Sequence, residues 1–135
     1  MHTESNTVQS ISSPAAPTAI GPYSQATTVG GLVFVSGQLP IDVATGQFPS
    51  DDIADQTEQA ITNIAAVLTA VDLSLHDVVK TTVLLADLAD FERVNAVYSR
   101  HFDGPVLPAR AAYQVSRLPK DARIEIEAIA VRPTQ

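Results

Sequence analysis

Cysteine is absent from the 135 residues, and no lysine or arginine precedes Lys80. Without a thiol there is no disulfide, no thiolate nucleophile and no cysteine-ligated metal. An intracellular, cytoplasmic location is therefore the expectation. Residues 1–79 hold eight acids and no Lys or Arg, residues 80–135 hold eight bases and seven acids, and the formal net charge is −7. A protein that grips a nucleic-acid backbone needs clustered cations to displace counterions. No such cluster occurs, so nucleic acid is not an expected partner. Met1 to Pro14 has neither the basic start and apolar run of a secretory signal nor the arginines of a mitochondrial presequence. Uninterrupted apolar runs stay far short of the roughly 18 residues that cross a bilayer, so no membrane association is expected. The glycines show no GxGxxG or P-loop spacing, which removes the nucleotide cradles. His2, His76 and His101 lack metal-ligand spacing, so neither a zinc site nor a Ser-His-acid triad is expected. A site without cofactor or metal is what remains.

With 45% hydrophobic and 17% charged residues, the chain has the composition of one globular domain with a single core. Residues 1–16 are expected to be mostly flexible, apart from a short strand at Val8 to Ile11, and residues 17–135 to form the domain. Gln25 to Val29 and Leu32 to Ser36 flank Gly30-Gly31, a short-hairpin signal. Ile53, Thr57, Ala60, Ile61, Ile64, Ala65, Leu68 and Val71 recur at helical spacing, with Ser50, Asp51 or Asp52 as caps. Val78 to Leu85 is apolar on both faces and reads as a central strand covered above and below. Asp90 is the expected cap of a second helix whose stripe is Phe91, Val94, Tyr98 and Phe102. Two strands close the chain, Ala109 to Val115 and Ala122 to Val131, joined through Leu118-Pro119-Lys120-Asp121. The fold class is α+β, with about six strands in a mixed sheet and two helices on one face.

Six strands at about 4.8 Å spacing make a sheet roughly 29 Å across, and two helices about 10 Å apart cover one face of it. The other face needs a lid. In the last strand Ile124, Ile126, Ala128 and Ala130 lie on one side and Ile129 and Val131 on the other, too apolar to leave in water. A homo-oligomer that buries the second face is expected.

Arg110 is the only charged side chain between Asp103 and Arg117. Its fork of donors matches the two oxygens of a carboxylate or phosphate; the alternative is an exposed strand arginine with its stem laid on the sheet. Glu125 and Glu127 alternate with Ile124, Ile126 and Ala128, so both project from one face together with Arg123. Enclosed, one of them could orient a water or shuttle a proton; open, the three form a solvated ladder. Tyr23 follows the Gly21-Pro22 turn, and Ser36-Gly37-Gln38-Leu39-Pro40 follows a strand end, the usual place for a binding loop. Tyr23 packing on its own loop and Ser36 satisfying backbone groups are the competing readings.

Several stretches together are more specific than any one residue. Ala19-Ile20-Gly21-Pro22-Tyr23-Ser24-Gln25, Val35-Ser36-Gly37-Gln38-Leu39-Pro40, Val94-Asn95-Ala96-Val97-Tyr98, Pro108-Ala109-Arg110 and the run from Arg117 to Val131 resemble the RidA (YjgF) family of reactive intermediate deaminases. The resemblance runs from about Pro17 to Val131. It implies a chorismate-mutase-like fold, a homotrimer with its sheets facing inward, and pockets at the subunit interfaces. It also implies hydrolysis of 2-imino acids such as 2-iminopropanoate and 2-iminobutanoate to 2-keto acids and ammonia, with no cofactor. Arg110 resembles the arginine that clamps the substrate carboxylate, and Glu125 the glutamate that positions the attacking water. Tyr23, Ser36, Gly37 and Asn95 match pocket-lining residues, and the backbone N–H of Ala112 can still donate to a ligand. Ala111-Ala112 stands where the family often has Ser-Cys, and Tyr113 where a small aliphatic residue is usual. A non-catalytic module that binds small carboxylates is the alternative, and a ribonuclease or translation inhibitor a more distant one.

Overall fold

A computed structural model of the protein describes residues 6–133. Gly30 and Gly31 adopt φ of 55° and 84°, a left-handed pair that glycine tolerates without a Cβ clash. They turn β2 (Ala26–Val29) into β3 (Leu32–Gln38), while β1 (Gln9–Ile11) pairs with the outer edge of β2. Of the segment 1–16 expected to be mostly flexible, Ile11, Ser13 and Ala16 are buried. The amide of the buried Gln25 accepts from the Ser13 N–H and donates to the Ser13, Ala16 and Pro17 carbonyls. Residues 1–5, including His2, lie outside the described residues.

The six strands form one mixed sheet in the order β1-β2-β3-β6-β4-β5. The last strand, β6 (Ile124–Val131), lies between β3 and β4 (Val78–Leu85), antiparallel to both. The edge strand β5 (Ala109–Gln114) runs parallel to β4. The two closing strands are therefore not neighbours; they flank β4. A parallel pair needs a crossover, and α2 (Phe91–His101) supplies it between β4 and β5. The helix α1 (Ile53–Thr69) makes the crossover from β3 to β4, leaving a gap that β6 fills.

Ile53, Ala60, Ile61, Ile64, Val67 and Leu68 of α1 are buried against Val33 and Val35 of β3, Val83 and Leu85 of β4, and Ile124, Ile126, Ala128 and Ala130 of β6. Each such Val, Leu or Ile is worth about 1.5–3 kcal/mol of transfer free energy. Asp52 caps α1 by accepting from the N–H groups of Ala54 and Asp55, and its other oxygen holds Arg93 of α2 at 2.6 Å.

Two expectations are corrected here. Asp90 starts α2 but its side chain makes no capping bond. A capping residue needs extended backbone, whereas the 3-10 turn Leu88–Asp90 runs straight into the helix and leaves Asp90 at φ −80°, ψ 0°. The extended residue is Asp87, which accepts from the Ala89 N–H. The second correction concerns β4, covered above and below in the sequence reading. Within one protomer the helices cover only the face carrying Thr81, Val83 and Leu85; Lys80 is exposed and Val79 is 46% exposed. The bare face also carries Leu32 and Phe34 of β3, Ile129 and Val131 of β6, and Tyr113 of β5.

Candidate functional site

The register of β3 on β6 slips between Val35 and Gln38, which pair with Ala128 and Ile126, so Ser36 and Gly37 together oppose Glu127. This bulge bends the strand and re-aims its residues. Gly37 backs directly onto the carboxyl of Glu125: a Cβ added at residue 37 would lie 2.8 Å from Glu125 Cδ. Glu125 is half-buried, and its pKa is raised, first by burial and then by the charge of Glu127 two residues along the same face. Tyr23 and Gly37 line one small cleft of about 30 Å3 with Gln25 and Gln38. Within it the Tyr23 ring folds back over its own turn, and its hydroxyl accepts from the Ile20 N–H at 3.3 Å. The Ser36 hydroxyl donates to the Ser24 carbonyl at 2.6 Å, so it serves the backbone as one of the two readings held. Tyr23, Ser36, Gly37 and Glu125 thus form one cluster around the β3 bulge.

Arg123 does not join the two glutamates. It precedes β6, and its guanidinium turns toward Asp90 at the start of α2, 3.9 Å from Oδ2.

A second cluster lies on the edge strand. Arg110 pairs with Thr81 across β5 and β4, so its side chain emerges on the helix-covered face, where it lies against α2. Its Nη1 donates to Asn95 Oδ1 at 2.7 Å, and its Cζ lies 5.3 Å from the Phe91 ring centroid and 4.9 Å from that of Tyr98. Arg110 is nonetheless exposed, so the rest of its donor fork faces outward. Ala112 follows on the same side of β5, half-buried against the core. Tyr113, two strands from Glu125 in the row Tyr113–Leu84–Glu125, sits on the other face and does not narrow the surroundings of Arg110. Sequence reasoning assigned Phe91 and Tyr98 to the core stripe and missed their contact with Arg110; their spacing from Asn95, four and three residues along one helix, was the available signal.

The two clusters do not meet within one protomer. Arg110 and Glu125 lie on opposite faces of the sheet, and their backbones are two strands apart sideways and three residues apart along the strands, roughly 10 Å in each direction. A site using both needs a second copy of the chain.

A family model described as Endoribonuclease L-PSP matches residues 13–132. The chain belongs to that family, the RidA (YjgF) family. A RutC family protein of Sinorhizobium fredii is 53% identical over 122 residues, covering 90% of this chain and 96% of that one. The Bos taurus protein named 2-iminobutanoate/2-iminopropanoate deaminase is 52% identical over 122 residues, covering 90% of this chain and 88% of its own. Among solved structures, E. coli TdcF with bound serine superposes with a TM-score of 0.88 at 45% identity, over 93% of this chain and 99% of that one. The region matched by the family model, residues 13–132, contains both clusters.

Proposed function

We propose that this protein is a 2-iminobutanoate/2-iminopropanoate deaminase, hydrolysing reactive 2-imino acids to 2-keto acids and ammonia. The observation that carries the reading is the near 50% identity, over 90% of the chain, to mammalian proteins bearing that name. The geometry supplies a physical account of how it works. Arg110 takes the substrate carboxylate with the donors that Asn95 leaves free. Glu125, contributed by a neighbouring protomer, holds a water about 3 Å from C2, where proximity and orientation provide much of the rate. The water oxygen bonds to the iminium carbon while its proton passes to Glu125. That proton moves to the amine of the carbinolamine, the C–N bond breaks, and the hydroxyl proton leaves as the keto group forms. Ammonia departs and takes up the released proton, so iminium plus water gives keto acid plus ammonium. This chemistry places no demand on a thiol, and the chain has none.

The apolar bare face argues for a homotrimer with its sheets turned inward. Leu32 and Phe34, each 39% exposed, and Tyr113, 51% exposed, would be covered there. Such an assembly is also what brings an Arg110 to a Glu125. The family model's own description names an endoribonuclease, but a chain of net charge −7 with no Lys or Arg before residue 80 offers little to a phosphate backbone. Among the described residues no helix is long and apolar enough to cross a membrane.

The test is ammonia release from 2-iminopropanoate generated in situ, on a sample whose mass in solution is measured alongside. Turnover by a particle three times the 14.3 kDa chain is expected. Saturable binding of pyruvate without ammonia release would instead identify a carboxylate sensor, and a monomer would remove the shared site.

The acid side of the pH profile provides a second check. Glu125 must be ionised to accept the water's proton, and its pKa lies above the ordinary 4.5. Activity is therefore expected to fall on acidification at a higher pH than for a free glutamate. Glu127→Gln removes the second cause of the shift and should move that limb of kcat/KM to lower pH; an unmoved limb would assign it to another group. The stability sign runs the other way. A carboxyl whose folded pKa is raised favours the fold at pH below 4.5, and that contribution is lost as pH rises through the folded pKa.

A further inference from the structure

The deaminase reading assigns Arg110 a carboxylate but leaves unexplained how an exposed arginine on an edge strand is kept in one place. A free arginine side chain has many rotamers to lose, and a clamp that must be frozen by each substrate binds weakly. We propose that Phe91 and Tyr98 of α2 are positioning residues that pre-set the Arg110 guanidinium for its carboxylate, with the Thr81 hydroxyl fixing the Tyr98 ring. This rests on the reading of Arg110 as the carboxylate clamp.

Four observations converge. Phe91, Asn95 and Tyr98 fall on one stripe of α2, at positions i, i+4 and i+7. They meet the guanidinium as two ring faces, at 5.3 and 4.9 Å, and one amide oxygen, at 2.7 Å. Rings at these distances attract a cation through their quadrupoles, and more strongly when the pair is desolvated. The Tyr98 ring is itself immobilised: its hydroxyl shares a 2.7 Å hydrogen bond with Thr81, which is 1% exposed, and its ring packs on Phe102 with centroids 4.4 Å apart. Finally, Thr81 is the β4 partner of Arg110 in the β4–β5 register. The contacts therefore close a ring: Arg110 backbone beside Thr81, Thr81 hydroxyl to Tyr98, Tyr98 face to the Arg110 guanidinium.

The arrangement constrains direction as well as freedom. Asn95 engages Nη1 and the two ring faces hold Cζ between them without using a hydrogen-bond donor, while an in-plane carboxylate needs two edge donors. The rings consume no donor and Asn95 consumes one, so the cradle can hold the arginine with and without ligand. The Arg110 charge in turn opposes the upward shift that burial gives the Tyr98 phenol. Packing alone would give the rings a different signature, because rings that merely fill space affect stability and not ligand affinity.

The experiment measures pyruvate binding by calorimetry and 2-iminopropanoate turnover on the intact assembly. Phe91→Leu and Tyr98→Leu remove one ring face each. Each is expected to weaken pyruvate binding and raise KM about five- to tenfold, equivalent to about 1–1.4 kcal/mol, with kcat changed less than about twofold. Tyr98→Phe keeps the ring and loses only the Thr81 bond, so it should recover most of what Tyr98→Leu loses. Tyr98 is buried and its leucine variant can fail to fold; Phe91, half-buried, then decides alone. Unchanged pyruvate affinity in Phe91→Leu, with or without a lower Tm, overturns the proposal, as does parent protein that binds no pyruvate. Parent protein that binds pyruvate but releases no ammonia sinks the deaminase reading only, and the cradle is still judged by the dissociation constants.

Discussion

Gly37→Ala is expected to slow imine hydrolysis about a hundredfold while the protein still folds, with Tm within about 4 °C of the parent, the shift that about 1 kcal/mol produces in a domain of this size. The two effects separate because of what the new methyl group meets. It would overlap the carboxyl of Glu125, with Cδ only 2.8 Å away. That carboxyl is the far end of a flexible side chain, so it swings aside at small cost. Residue 37 does not have positive φ, so alanine is tolerated by the backbone. What is lost is the alignment of the group proposed to take the water's proton, and such general bases contribute roughly 10²- to 10⁴-fold. Pyruvate binding, which depends on Arg110, should change little. Rate and pyruvate affinity falling together would mean that Gly37 serves binding instead, and an unchanged rate would remove Glu125 from the chemistry.

The second large effect comes from mixing two dead proteins. Arg110→Ala is expected to lose most activity through the carboxylate, and Glu125→Gln through the base. Equal amounts of the two, unfolded and reassembled together, should regain about a quarter of parental activity. In any closed ring with one Arg110 and one Glu125 from neighbouring copies at each site, random assembly gives both intact residues to about one site in four. Opposite sheet faces, with backbones offset both sideways and lengthwise, are the reason to expect this. Mixtures that stay as inactive as their components would mean that the two residues act within a single protomer, or not together at all.

Most of the elements were legible because local chemistry announces them. Gly30-Gly31 must turn, one of Ser50, Asp51 and Asp52 must cap α1, with Asp52 the one the structure selects, and the alternation of Ile124 to Val131 must put the isoleucines at 124 and 126 on one face. Strand order was not legible. Nothing within Ala109–Gln114 or Ile124–Val131 says that the later strand inserts between β3 and β4, because pairing depends on distant partners. The site was read as a set of residues from family resemblance, and periodicity put Glu125 and Glu127 opposite Ile124 and Ile126, as the structure has them, but grouped them with Arg123, which turns to Asp90. Its division into two clusters could not be read, since it follows from Arg110 facing α2 while Glu125 faces away. Asp90 misled because residue type suits a cap, whereas capping is decided by backbone conformation inherited from the turn before it.

The position of β6 has a consequence for how the molecule comes into being. The strand that holds the middle of the sheet is translated after the five it organises. Without it, β3 and β4 present unsatisfied edges and α1 lacks Ile124 and Ile126, so the groups β1-β2-β3 and β4-β5 have no strand to join them. Formation of the whole sheet therefore waits on pairings distant in sequence, which carry the entropy of closing long loops, and a chain cut before Ile124 leaves the facing edges of β3 and β4 and the apolar side of α1 open to association.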